Sequence, residues 1–189
     1  MARLFLVFGT AGAGKSTVLS GIRSAKTVTI GSEMRRVYAS RFGVRDRDLI
    51  RKKSLTVYDE MVIIRNAILK RLSGTPGTII IDTHASVKTG NSYLMGLSMR
   101  DFDVLRGKVK AIIYVDAETK QIMARRKSDK TRKRENDTVE ELDMWRNINL
   151  ICTMLYSLYL QVPVHTVQNP DGGLSAARKQ VNEIIKGTK

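Results

Sequence analysis

Runs of consecutive apolar residues alternate along the chain with stretches in which apolar positions recur every three or four residues. Residues 3–8 (RLFLVF), 27–30 (TVTI), 78–82 (TIIID), 110–116 (KAIIYVD) and 162–167 (VPVHTV) predict five strands. Three of these are continuous Ile, Val, Leu and Phe runs, the pattern of parallel strands covered on both faces. After the second strand, Val57, Met61, Ile64, Ile68 and Leu72 follow at spacings of four, three, four and four. That is one face of a helix, which Gly74 and Pro76 stop. A helix from about 139 to 160 starts amphipathic, with Leu142, Trp145 and Ile148 inward, and then turns apolar nearly all round. A last helix opens near Ser175 and carries Val181, Ile184 and Ile185. Strands alternating with helices imply βαβ units, hence an α/β domain of three layers (α/β/α) around a five-stranded parallel sheet.

Composition narrows the class. At 189 residues, with 42% hydrophobic and 27% charged residues, the chain is one globular domain of ordinary make-up. Its longest mainly apolar run, residues 148–160, is too short to span a bilayer. Arg3 interrupts the apolar start and no small-residue cleavage site follows, so no secretory signal is expected. One cysteine, Cys152, and two histidines, His84 and His165, build neither an internal disulfide nor a Cys/His metal cage. These features together predict a cytoplasmic protein with no membrane partner. The apolar second half of the 139–160 helix lies either deep in the core or under another subunit.

The candidate chemistry begins where the first strand ends. Gly9 to Ser16 (GTAGAGKS), followed by Thr17, fits the P-loop pattern GxxxxGK[ST]. Gly9, Gly12 and Gly14 free the backbone to turn successive N–H groups toward a β-phosphate, with Thr10, Ala11 and Ala13 between them. The helix opening at Lys15 adds its positive end. Lys15 reaches the β- and γ-phosphates, and the Ser16 hydroxyl is placed to ligate Mg²⁺. Asp82, closing the third strand, is the Walker-B-type carboxylate that orients Mg²⁺ or its waters.

A net charge of +15 points to polyanionic ligands, and it is unevenly placed. Residues 33–53 hold eight Lys and Arg against three acids, and residues 124–137 hold seven against three. The two segments follow the second and fourth strands, so both leave carboxyl ends of the sheet, where ligands of open α/β folds bind. Guanidinium forks there would stabilise the charge of a phosphoryl transition state, and the second segment is built like a closing lid. The only aromatics within these basic stretches are Tyr38 and Phe42, which argues against a base-stacking platform for RNA.

Through GTAGAGKSTVL, DRDLIRKKS, IDTHASVKTGNSYLMGL, RRKSDKTRKREND and QNPDGG, the chain resembles the archaeal-type adenylate kinases among the P-loop nucleoside-monophosphate kinases, over nearly its whole length. DTHA followed by YLMGL is more specific than the P-loop. The resemblance implies a P-loop NTPase core (1–30, 75–123 and 139–189), a helical segment for the acceptor monophosphate (31–74) and a short lid (124–138). It also implies roles. Gly9 to Thr17 would hold ATP, with Asn169 and Gly172 beside its adenine. Arg51, with Arg35, would bind the AMP phosphate, and Thr83 and His84 would line the acceptor side. Arg125, Arg132 and Arg134 would join Lys15 on the transferring group, and the partners would be ATP and AMP with Mg²⁺. Trimeric assembly is known in the family. Three positions depart from its pattern: the lid closes with Glu135-Asn136-Asp137, one residue longer than usual; Gly31-Ser32-Glu33 stands in place of Gly-Asp; and Met95 replaces a common proline.

The implied reaction is MgATP + AMP = 2 ADP, by in-line attack of an AMP phosphate oxygen. That oxygen is ionised at neutral pH and needs no general base. Two other readings share part of this evidence: a kinase for CMP, UMP or dTMP, and an RNA- or ribosome-associated ATPase. A guanine-nucleotide switch is excluded, because no Asn-Lys-x-Asp motif occurs.

Overall fold

A computed structural model describes residues 2–42, 58–90, 92–129 and 137–188. Strand β1 (Ala2–Phe8) is the centre of a five-stranded sheet with β2 (Lys26–Thr29), β3 (Gly77–Asp82), β6 (Val109–Asp116) and β7 (Val164–Gln168), in the order β2-β3-β1-β6-β7. Every pairing in it is parallel. The five strands expected from the apolar runs are these five, with ends shifted by a residue or two. Ile30, expected to end the second strand, instead opens helix α2 (Ile30–Phe42).

The continuous apolar runs have the burial they imply. Leu4, Leu6 and Phe8 of β1 share one core with Ile64, Ile68 and Leu72 of α3 (Tyr58–Gly74) and with Cys152, Tyr156 and Leu160 of α6 (Val139–Leu160). Phe5 and Val7 face the other way, onto Val18 and Leu19 of α1 (Lys15–Leu19) and Val181 and Ile185 of α7 (Leu174–Gly187). Residues 4 to 8 of β1 have no exposed surface. Each such side chain contributes about 1.5–3 kcal/mol, and this places the loop after Phe8 on a rigid base.

Two features fall outside the sequence-based expectation. An antiparallel hairpin, β4 (Ser86–Thr89) and β5 (Ser92–Met95), follows β3 as a separate two-stranded sheet. Its buried positions on β4 are Ser86 and Lys88, so no alternation of apolar side chains marks it. Helix α4 (Met99–Leu105) then starts at a reciprocal cap between Ser98 and Asp101. Helix α5 (Thr119–Ser128) leaves the end of β6. Among the described residues no helix is long and apolar enough to cross a membrane.

Candidate active site

The P-loop joins β1 to α1 at the carboxyl edge of the sheet. Its turn is closed by the Ala13 N–H donating to the Thr10 carbonyl at 3.0 Å. Gly12 and Gly14 have φ of 105° and 86°, where a Cβ is strained, and both are also crowded. A Cβ on Gly14 would lie 2.3 Å from Asn169 Nδ2, and one on Gly12 2.8 Å from Arg126 Cγ. The glycines therefore let α7's preceding loop and α5 close onto the P-loop. Helix α1 is only five residues long, and Arg178 of α7 holds its far end by donating to the Thr17 carbonyl at 2.9 Å.

Lys15 and Asp82 meet across this loop. The Lys15 ammonium donates to Asp82 Oδ1, and Thr29 Oγ1 at the end of β2 donates to Oδ2 at 3.1 Å. Asp82 is 2% exposed, whereas Ser16 lies open at the first turn of α1. A hydroxyl and a single carboxylate are hard oxygen donors suited to Mg²⁺, which takes few protein ligands and completes its shell with phosphate oxygens and water. The donor set fits that ion.

A hollow of about 220 Å³ lies beside the loop, lined by Gly14, Thr17, Arg125, Asn169, Pro170, Asp171, Gly172 and Leu174. Arg125 spans its rim. Its guanidinium donates to the Asn169 carbonyl at 2.9 Å, to the Ala13 carbonyl at 3.4 Å and to the Asp171 carboxylate. Asn169 in turn donates from Nδ2 to the Ala13 carbonyl at 2.9 Å. Lys15, Arg125, Asn169 and Gly172 are thus gathered around one loop. Arg125 is placed by these contacts at the hollow's rim, alongside Asn169.

The floor is a buried polar network that sequence reading missed. Asn149 of α6, 2% exposed, donates to Thr10 Oγ1 at 3.1 Å and accepts from the Ser86 N–H at 3.0 Å and Ser86 Oγ at 2.8 Å. Trp145 Nε1 donates to Ser86 Oγ at 3.1 Å. Tyr114 Oη lies 3.4 Å from Thr10 Oγ1, and burial pushes its phenol up to about 12. Tyr156 donates to the Ala85 carbonyl at 2.7 Å and accepts from the Leu97 N–H at 3.2 Å. α6 begins where its amphipathic pattern places it, at a capping box between Thr138 and Glu141.

On the other side of Asp82, Thr83 is buried, its N–H donating to the Val7 carbonyl at 3.2 Å, and His84 follows half-buried. Arg35 lies exposed on α2, donating to Ser32 Oγ at 3.4 Å. Beneath this side, Arg65 of α3 and Asp101 of α4 form a buried ion pair, with Nε to Oδ2 at 2.8 Å. Arg51, Arg132 and Arg134 lie outside the described residues.

A family profile for the AAA domain matches residues 8–143. The chain is 34% identical to the adenylate kinase of Pyrobaculum aerophilum over 142 residues, 73% of this chain and 70% of that one. It is 30% identical to that of Thermoplasma acidophilum over 95% of this chain and 97% of that one. Against the adenylate kinase of Methanothermobacter thermautotrophicus the identity is 28%, over 97% and 100%. Among solved structures, a shikimate kinase from Acinetobacter baumannii superposes with a TM-score of 0.60 at 15% identity, covering 99% of this chain and 95% of that one. A deoxyadenosine kinase from M. mycoides also gives 0.60, at 16% identity and 98% and 100% coverage. These two likenesses concern the fold.

Proposed function

The chain belongs to the archaeal-type adenylate kinases of the P-loop nucleoside-monophosphate kinases, and from that premise we propose that it transfers the γ-phosphoryl group of MgATP reversibly to AMP, giving two ADP. The observation that carries this reading is the convergence of Lys15, Asp82 and the 220 Å³ hollow around one P-loop. The hollow beside Asn169 and Gly172 would take the adenine of ATP, and the loop from Gly9 to Thr17 its phosphates.

Catalysis in this scheme is positioning and charge stabilisation. Lys15 neutralises the β- and γ-phosphate oxygens, with Arg132 and Arg134 supplying forked charge to the transferring group. Arg125 joins them through its guanidinium while holding the Asn169 loop to the P-loop. Ser16 and Asp82 would hold Mg²⁺, which supplies Lewis-acid charge to the β- and γ-oxygens when bound. Arg51 and Arg35 hold the acceptor phosphate in line, with Thr83 and His84 along that wall. No residue has to remove a proton, because the attacking oxygen is already anionic. Segments 31–74 and 124–138 act as acceptor-binding unit and lid, and the lid keeps water from the phosphoryl group.

The enzyme works in the cytoplasm as a homo-oligomer, a trimer by analogy with its family. Exposed Leu158, Ile151 and Met154 on α6 support the assembly. The test is a coupled assay of transfer from MgATP to AMP, CMP, UMP, GMP and dTMP, with an acceptor-free control. Rapid transfer to AMP alone supports the reading. ATP hydrolysis with no acceptor response would overturn it and make RNA the partner to examine.

A further inference from the structure

Asp137, the residue before the Thr138 cap of α6, has a side chain 5% exposed and shared by two cations. Oδ1 accepts from Lys88 Nζ at 2.7 Å, and Oδ2 accepts from Arg126. Both cationic side chains are 10% exposed. Glu141, half exposed, stands 3.9 Å from Lys88. The hydrogen bond that Lys88 donates to Asp137 holds its ammonium above its ordinary range. Arg126 also lies over the Trp145 ring, 5.7 Å from its centroid, and its Cγ fills the space beside Gly12.

Burying two cations on one carboxylate is costly, and an apolar cluster of the same volume would often be as stable. The arrangement is better explained by where its members come from. Arg126 sits on α5 and touches the P-loop. Lys88 sits on β4, which follows Thr83 and His84. Asp137 ends the basic segment that began with Arg125 and Arg126. One carboxylate therefore joins the donor wall, the acceptor-side hairpin and the end of the lid segment.

We propose that Asp137 is a positioning residue that sets Arg126 against Gly12, and so fixes the P-loop for a triphosphate, while tying the β4–β5 hairpin to the same point. The inference rests on the phosphotransfer reading above and adds a residue to it. It also gives the lengthened Glu135-Asn136-Asp137 ending a purpose: the carboxylate reaches inward to the clasp.

The test separates positioning from bare stability. Asp137→Asn removes the carboxylate that both buried cations share and is expected to lower Tm. The double variant Lys88→Met/Asp137→Asn restores the net charge of the cluster to +1, carried by Arg126 alone, and is expected to recover most of that Tm. If Asp137 positions Arg126, the double variant still binds a fluorescent ATP analogue about tenfold more weakly and shows a raised KM for ATP with kcat little changed, while Asp137→Glu stays near wild type. If the double variant recovers ATP affinity along with Tm, the clasp is only structural and the proposal is overturned. The binding measurement does not depend on turnover. A wild-type protein that phosphorylates no monophosphate would instead sink the phosphotransfer reading, and leave the affinity to judge Asp137.

Discussion

Lys15 donates to Asp82 across the P-loop, and both side chains are nearly buried, at 11% and 3% exposed. A triphosphate brought to Lys15 would compete with Asp82 for the same ammonium, so this one ion pair stands where the anion would bind.

Replacing Lys15 with alanine tests the cation's share. None of the three hydrophobic clusters of the described residues contains Lys15, and Asp82 keeps the Thr29 hydroxyl at 3.1 Å, so Lys15→Ala is expected to fold. Its kcat should fall about 10²–10³-fold, the cost of removing one preorganised charge from a transferring group. Steady-state kinetics beside circular dichroism checks this; a folded variant with a near-wild-type rate removes Lys15 from the chemistry.

Asn149 should matter to stability and to ATP together. Asn149→Ala strips the acceptor from the Ser86 N–H and hydroxyl and the donor from Thr10 Oγ1, all in a buried site. Leaving such groups unpaired costs about 2–3 kcal/mol. Because Thr10 belongs to the P-loop, KM for ATP should rise while KM for AMP holds. Urea unfolding and initial rates measure the two effects, and an unchanged unfolding midpoint contradicts the network's role.

What could be read from the sequence, and what could not, divides by range. Strands buried on both faces announce themselves as apolar runs, and the P-loop is a contiguous motif whose glycines have a backbone reason. Asp82 was legible because it ends such a strand. The network under the loop was not, since Asn149 finds Thr10 from 139 positions away and Ser86 from 63. Lys88 and Asp137 are 49 apart, and each in sequence is one charge among many. The hairpin that carries Lys88 buries polar side chains, so periodicity had nothing to detect. Arg125 was found as one arginine of a basic run, but only its contacts with Asn169 and Asp171 say which wall it stands on.

Tyr114 gives the enzyme a definite alkaline edge. Its phenol is raised from 10 to about 12, chiefly by burial, so the folded protein holds the proton more tightly than the unfolded chain. The stabilisation is fully present below pH 10 and is lost as pH climbs toward 12. By pH 11.5 the loss from this one group should reach about 2 kcal/mol. Tyr114→Phe lacks that component, so its stability should fall less steeply than wild type between pH 9 and 11.5. Parallel slopes in urea titrations over that window would mean that Tyr114 does not titrate differently on folding.

The last prediction concerns the face of α6 turned from the core. Cys152, Tyr156 and Leu160 point inward, and on the opposite side Ile151, Met154, Leu155 and Leu158 are 59%, 54%, 40% and 72% exposed. Their spacing of three, four and seven draws one stripe along two turns, with no charge in it. A stripe like this covered by a second copy of the same helix would bury Leu158, its most exposed member. Leu158→Asp then places a carboxylate in that contact, where it cannot find water or a partner, and the assembly should fall to monomers with its helix content intact. In an isolated monomer the same change touches only solvent and should alter stability by less than about 0.5 kcal/mol. Sedimentation velocity of both proteins at matched concentration decides: a wild-type oligomer and a monomeric Leu158→Asp support the assembly, and a wild-type monomer refutes it.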